Sequence, residues 1–153
     1  MRLSREIRDL ETISLAITAA EMGLLVFATL HTNNAPKTID RIVDVFPAEQ
    51  QPQIRAQLAE SLAGIVSQLL LRTKDGKGRI AVNEILVATQ GLSNMIREGN
   101  ISKIASLIQQ GRAEGMQAMD TALMDLVKTG RISGEEAYLK SQDKKSFEKF
   151  VEQ

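Results

Sequence analysis

The sequence of 153 residues contains no cysteine and no tryptophan, and it has only four phenylalanines and one tyrosine. Without cysteine the chain has no disulfide bond, no iron–sulfur cluster and no thiolate zinc site. Because aromatic residues are so few, the hydrophobic core must consist mainly of Leu, Ile, Val, Ala and Met. We predict no metal ligands in this chain.

The chain also lacks an excess of charge of either sign, since its 19 basic and 19 acidic residues give a formal net charge of zero. That balance argues against nucleic acid or an anionic membrane surface as a partner. The apolar run from Ile13 to Leu30 contains Glu21, which would cost about 2.5–3.5 kcal/mol at the centre of a membrane span. We therefore predict no signal peptide, no membrane insertion and a cytoplasmic location.

A phosphate-binding loop of the form G-x-x-x-x-G-K-[ST] does not occur in these residues. In that loop, glycine amides surround the phosphates and the Lys and Ser/Thr side chains complete the site. Gly76-Lys77-Gly78 has a glycine after the lysine, and Pro36-Lys37-Thr38 has no glycine before it. We therefore expect no cofactor on the isolated chain.

The pattern of apolar residues predicts an α/β arrangement in the first half of the chain. Asp9 is a plausible N-cap for a helix with Leu10, Ile13 and Ile17 on one face. The aliphatic run Leu24–Leu30 predicts a strand buried on both faces. The only histidine, His31, follows that strand, where open α/β sheets place ligand-contacting groups.

The remaining elements alternate between helix, hairpin and helix. Helices are predicted at about 36–46 and 49–62, and strands at 65–72 and 79–88 join through a turn at Asp75–Gly78. Four helices should follow, at about 90–98, 101–110, 116–128 and 134–142, the last with a Ser133/Glu136 capping box. We divide the chain into an α/β part (6–88), a helical part (89–142) and a charged, solvated tail (143–153).

Two groups near the start of the chain are candidates for chemistry, each with a structural alternative. Asp9 can cap the first helix while Glu6 lies near its positive end. Alternatively, Glu6 activates a water molecule for attack on a phosphate. His31 is either a hydrogen-bonded residue at the edge of the core or a contact to a terminal phosphate.

Several consecutive motifs together resemble one known family. Glu6–Thr12 (EIRDLET) is similar to the end of the Walker B motif of the secretion ATPase superfamily, and Gly23–Asn33 is similar to its histidine box. Lys37–Pro47 is similar to the segment after that box. The resemblance extends from Glu6 to Tyr138 and is strongest to the type IV pilus retraction, or twitching motility, branch. It corresponds to the C-terminal portion of that family's chain.

A helix in the second half supports the retraction branch. Members carry a motif like AIRNLIRE, and this sequence has Gly91–Glu98 (GLSNMIRE) in its place. The matching residues are Asn94, Ile96, Arg97 and Glu98. The extension branch usually carries a four-cysteine zinc element, whereas this chain has no cysteine.

The sequence departs from the family pattern at the nucleotide site. Arg5 replaces the glycine before Glu6, and Leu24 stands where a second, earlier histidine often lies. The Walker A loop, the aspartate box and the N-terminal domain of the family are not among these residues. The resemblance therefore does not imply an intact ATP site in this chain.

The resemblance implies a partial RecA-like P-loop NTPase core, lacking the P-loop strand and helix, followed by a helical C-terminal subdomain. In the complete enzyme ATP and Mg²⁺ would bind between subunits of a hexameric ring, and Glu6 would polarise the attacking water. His31 would report the terminal phosphate, and Arg8 and Asp9 would support the nucleotide site.

The same resemblance implies that Asn94–Glu98 couples hydrolysis to retraction against a platform protein of the inner membrane, at whose periphery the cytoplasmic motor works. By itself the chain is predicted to be inactive. Two alternatives remain open. One is a non-catalytic interaction or oligomerisation module, and the other is a fragment of a type II secretion or pilus-extension ATPase.

Overall fold

The computed structural model describes residues 3–6 and 9–151, and side chains from residue 9 onward. Two 3₁₀ turns, Ile101–Lys103 and Gly111–Glu114, flank the fifth helix. The helices and strands, in chain order, are β1 (Leu3–Glu6), α1 (Leu10–Glu21), β2 (Val26–Thr29), α2 (Ala35–Asp44), α3 (Gln51–Ser61), β3 (Gly64–Arg72), β4 (Arg79–Val87), α4 (Gln90–Glu98), α5 (Ile104–Gln110), α6 (Met119–Lys128), α7 (Gly134–Lys140) and α8 (Lys145–Glu148).

The first helix forms as its sequence signals predict. The Asp9 carboxylate accepts a hydrogen bond from the Thr12 amide at 2.8 Å, which satisfies one of the free donors of the first turn. Ile13 and Ile17 are buried on the inner face. Gly23 adopts a left-handed conformation (φ +82°) just after the helix, and this turns the chain into β2.

The described strands form two small sheets. β1 pairs in parallel with β2, so that Leu3 lies opposite Val26 and Glu6 opposite Thr29. β3 and β4 form an antiparallel hairpin in register from Gly64 to Arg72. β1 was not predicted, because its residues, LSRE, show no apolar pattern. Its pairing with β2 is a non-local interaction.

The prediction that β2 is buried on both faces is wrong. The strand is shorter than the aliphatic run, and Leu25 and Phe27 are largely exposed. Within the described residues β2 pairs only with β1. An apolar groove of about 640 Å³ runs along β2 between α1 and the end of α3. The aliphatic run is therefore uncovered on one side.

The buried side chains form two hydrophobic clusters. The first packs α1–α5 together, with Ile39 and Ile104 fully buried within it. The second joins the hairpin to the C-terminal helices through Leu71 and Leu123. β4 contributes to both clusters, since Leu86 belongs to the first and Val82 to the second. The hairpin thus links the two halves of the chain.

The C-terminal segment is not the solvated tail that we predicted. Phe147, on α8, is fully buried in the second cluster. The Asp120 carboxylate accepts hydrogen bonds from the amides of Gln142 and Asp143, at 2.9 and 2.8 Å. Charge composition misled the prediction, because a single apolar side chain with two backbone anchors is enough to dock this short segment.

The capping box at the start of α7 is only half formed. The Ser133 hydroxyl accepts from the Glu136 amide at 3.1 Å, as predicted. The Glu136 carboxylate instead accepts from the Arg72 amide at 3.2 Å and so ties α7 to the end of β3. Across residues 3–6 and 9–151, no helix has both the length and the apolar character required to span a membrane.

Candidate functional site at the exit of β2

The parallel pairing of β1 and β2 brings two sequence candidates to one sheet edge. Glu6 ends β1 opposite Thr29, the last residue of β2, and His31 lies two residues past that strand end. The carboxyl ends of parallel strands are where open α/β sheets bind ligands. The backbone position of Glu6 is described but its side chain is not, and Arg8 lies outside the described residues.

The loop that carries His31 is fastened to the start of α2. The Asn34 side chain caps the helix by accepting from the Lys37 amide at 2.9 Å. The Thr32 and Thr38 hydroxyls lie 2.6 Å apart, and the Thr38 hydroxyl also donates to the Asn34 carbonyl at 2.9 Å. These contacts fix the loop backbone while the His31 side chain remains exposed.

A cavity of about 470 Å³ opens beside His31. One face of α2 lines it with alternating charges at helical spacing, namely Lys37, Asp40, Arg41 and Asp44. Burial raises the pKa of Asp40 above its ordinary value of 3.8; the Asp44 carboxylate adds to the rise, and Arg55 opposes it. The two cations and the imidazole offer N–H donors to an anionic group, and the two carboxylates limit how much negative charge this cavity accepts.

Asp9 performs the structural role considered for it. Its carboxylate accepts from both the amide and the hydroxyl of Thr12, at 2.8 and 2.9 Å. The capping interpretation is therefore confirmed, whereas a part for Asp9 in nucleotide binding stays a prediction. In the described part of the chain, no group of three or more His, Cys, Asp or Glu side chains is arranged to hold a metal ion.

The residues matching the retraction motif separate into a buried one and an exposed set. Ile96 is only 1% exposed and packs in the first cluster beside Leu92. Asn94, Arg97 and Glu98 are exposed and form what we term the α4 polar face. Arg97 donates to the Asn94 side chain at 3.3 Å and lies 3.6 Å from the Glu60 carboxylate. Of the residues that match the motif, only those of the α4 polar face are exposed and therefore accessible to a partner.

A buried residue that was not predicted from the sequence lies behind the His31 loop. Glu84, on β4, is 4% exposed, and its carboxylate accepts a hydrogen bond from the Ala35 amide at 2.8 Å. Burial raises the pKa of Glu84 above its ordinary value of 4.5, and the hydrogen bond from the Ala35 amide opposes that rise. The available signal was strand alternation, which puts Glu84 on the buried face with Val82 and Leu86.

Comparison with known proteins places these features in a wider group. Residues 5–139 match the family described as type II/IV secretion system protein. The chain is 53% identical over 141 residues to the twitching motility protein of Neisseria gonorrhoeae. It is 51% identical over 142 residues to the type IV pilus retractation ATPase PilT of Pseudomonas aeruginosa.

A solved structure of a related motor has the same fold. The crystal structure of the pilus retraction motor PilT with bound ADP superimposes with a TM-score of 0.85 at 44% identity, covering 97% of this chain and 41% of that one. The matches cover 92% and 93% of this chain but only 38% and 41% of the Neisseria and Pseudomonas proteins. The chain thus spans about two fifths of the length of these relatives.

Proposed function

This chain belongs to the family of type II/IV secretion system proteins, and from that premise we propose that it is the C-terminal portion of a cytoplasmic ATPase motor that retracts type IV pili. The observation that carries the proposal is the 51% sequence identity to the Pseudomonas retraction ATPase over 93% of this chain. The complete motor would be a hexameric ring that works at the periphery of the inner membrane against a platform protein.

The chemistry assigned to this portion lies at the shared edge of β1 and β2. Glu6, at the end of β1, would polarise the water that attacks the terminal phosphate of ATP. His31 would donate an N–H to that phosphate and register its loss. Arg8 and Asp9 would support the site, Asp9 through the geometry of the first turn of α1.

The phosphates and the metal ion would be held mainly by residues that this sequence does not include. A Walker A loop supplies the amides, the lysine and the Mg²⁺-binding hydroxyl in P-loop ATPases, and that motif is absent from these 153 residues. The described residues form no cluster suited to Mg²⁺ either. We therefore assign Mg²⁺ no ligand in this chain, and expect no saturable ATP binding to the chain alone below about 1 mM.

The α4 polar face would connect hydrolysis to pilus retraction. Asn94, Arg97 and Glu98 are exposed on a helix whose other side, including Ile96, is held in the core. A rigid helix with an exposed charged face suits transmission of movement to a neighbouring subunit or partner. Among the described residues that line the cavity beside His31, none belongs to α4.

A chimaera tests the proposal. This chain would replace the matching C-terminal part of the Pseudomonas relative, and ATP hydrolysis would be measured on the purified protein. We expect hydrolysis by the chimaera and a loss of at least about 100-fold in the Glu6→Gln chimaera, because a general base contributes roughly that much. A folded, hexameric chimaera that hydrolyses no ATP, or one that is indifferent to Glu6→Gln, would contradict the proposal.

A further inference from the structure

The α4 polar face is continued by a glutamate on another helix. The Glu60 carboxylate, on α3, lies 3.6 Å from Nη2 of Arg97, while Nη1 of Arg97 donates to the Asn94 side chain at 3.3 Å. One guanidinium group therefore contacts both its own helix and α3. Because the guanidinium is planar and its donors form a rigid fork, contacts to two of its nitrogens restrict its orientation.

The backbones of α3 and α4 are held together close to this ion pair. The Ser93 hydroxyl, on α4, donates to the carbonyl of Ala59 at 2.7 Å, one residue before Glu60. Ala59 and Ile96 are both buried in the first cluster. The core and the Ser93 hydrogen bond thus hold α3 against α4, whether or not Glu60 and Arg97 are paired.

The Glu60–Arg97 pair itself is exposed to solvent. An exposed ion pair adds little to the stability of a fold. Its main effect is on the Arg97 side chain, which it helps to hold in one geometry. A long side chain that is already ordered loses less entropy when an interface forms. The guanidinium has five N–H donors, so its contacts to Glu60 and Asn94 leave donors for an acceptor on a partner.

We propose that Glu60 is a positioning residue for Arg97, so that the surface that couples hydrolysis to retraction is formed by α3 and α4 together. The role in coupling rests on the function proposed above, whereas the positioning of Arg97 is a property of this chain alone. The neighbouring Glu98 is held in a similar way, since its carboxylate accepts from the Asn100 side chain at 2.8 Å.

The positioning is tested on the whole chain by NMR of the Arg97 side-chain N–H groups. In Glu60→Ala we expect these signals to shift and rotation of the guanidinium to become faster, because the carboxylate that restrains it is gone. Glu49→Ala is the matched control, since Glu49 is an exposed glutamate just before α3. It should leave the Arg97 signals unchanged. A Glu60→Ala chain with unchanged Arg97 signals would overturn the proposal.

The role in coupling is tested on the chimaera described above. Glu60→Ala should lower the rate of pilus retraction about fivefold or more, a typical coupling effect, while most of the ATPase rate remains. Glu60→Gln keeps one oxygen acceptor for Arg97 and should recover part of the loss. Glu49→Ala should retain both activities.

Full retraction by the Glu60→Ala chimaera would reject the role in coupling, and so would a loss of hydrolysis as large as the loss of retraction. Failure of the proposed function is a separate result. It would appear as an unsubstituted chimaera that neither hydrolyses ATP nor retracts pili. The Arg97 signals of the chain alone would still decide whether Glu60 positions Arg97.

Discussion

Phe27 and Phe147 are the same residue type in opposite surroundings. Phe27, on β2, is 53% exposed beside the apolar groove, whereas Phe147, on α8, is 0% exposed within the second cluster. The C-terminal cluster is closed by its own helices and by the hairpin. The β2 region presents an apolar face without a cover among the described residues. The two halves therefore differ in how far they depend on further protein for their packing.

The difference in packing between the two regions agrees with the places proposed for nucleotide chemistry and for coupling to retraction. The open region is the edge at which nucleotide chemistry is proposed, and the chain spans only about two fifths of relatives that include an ATPase. The α4 polar face lies on a helix whose inner side is packed in the first cluster. Under the proposed function, the nucleotide chemistry would require protein beyond this chain, whereas the proposed coupling surface lies within it.

Truncation of the two phenylalanines should give the largest contrast. Phe147→Ala should lower the free energy of unfolding by about 3–5 kcal/mol, because it leaves a cavity in a closed cluster. Phe27→Ala should change it by no more than about 0.5 kcal/mol, as at other exposed positions. Urea unfolding of dilute protein measures both. Equal losses in the two variants would mean that β2 is covered in solution.

Self-association should depend on the open face and not on exposed leucines in general. Leu25 and Leu139 are 60% and 62% exposed, the first beside the groove and the second on α7. An uncovered apolar strand invites association. We expect concentration-dependent association of the wild-type chain in light scattering, reduced by Leu25→Glu and unaffected by Leu139→Glu. A wild-type chain that stays monomeric at high concentration would refute the open-face interpretation.

A smaller effect should appear in the pH dependence of stability. Because burial raises the pKa of Glu84 above 4.5, the folded chain holds this proton more tightly than the unfolded chain does. The resulting stability is fully present below pH 4.5 and is lost as the pH rises through the folded pKa. The stability of the wild type relative to Glu84→Gln should therefore decline over that window. Asp40, Asp75 and Asp143 also have shifted pKa values. Their contributions to the pH dependence of stability are the same in the wild type and the variant, so they cancel in the difference.

If the stability of the wild type relative to Glu84→Gln did not decline with rising pH, the Glu84 carboxylate would be solvated in the folded chain. Urea unfolding at several pH values, starting near the ordinary pKa of a glutamate, supplies the measurement. If the stability of the wild type relative to the variant grew as the pH rose, the sign of the shift would be reversed. Burial of the carboxylate against the start of α2 would then not describe the site.

Much of the local structure followed from the sequence because its signals are local. The Asp9 cap, the turn at Asp75–Gly78 and the Ser133 cap each act within a few residues, and the helices and hairpin appear close to their expected places. The family resemblance read from EIRDLET and the histidine box is confirmed by the match over residues 5–139. Long and specific motifs are therefore enough to predict the family, even though the chain spans only part of its relatives' length.

The features that escaped prediction all depend on distant partners. β1 has a polar sequence and forms by pairing with β2, and the exposure of β2 depends on which strands lie beside it. The burial of Phe147 required knowledge of the second cluster. The burial of Glu84 was readable from strand alternation, but its hydrogen-bond donor, the Ala35 amide at the start of α2, lies far upstream in the sequence. No local pattern specifies such contacts.

The division between chemistry at the β2 edge and coupling on α4 is tested most directly by one pair of assays on the chimaera. Arg97→Ala should abolish pilus retraction while most of the ATPase rate remains, because it removes a charge from the α4 polar face and leaves the His31 edge intact. Arg112→Ala, at another exposed arginine, should retain both activities. If Arg97→Ala lost hydrolysis as completely as Glu6→Gln, α4 would belong to the active site and the division proposed here would be wrong.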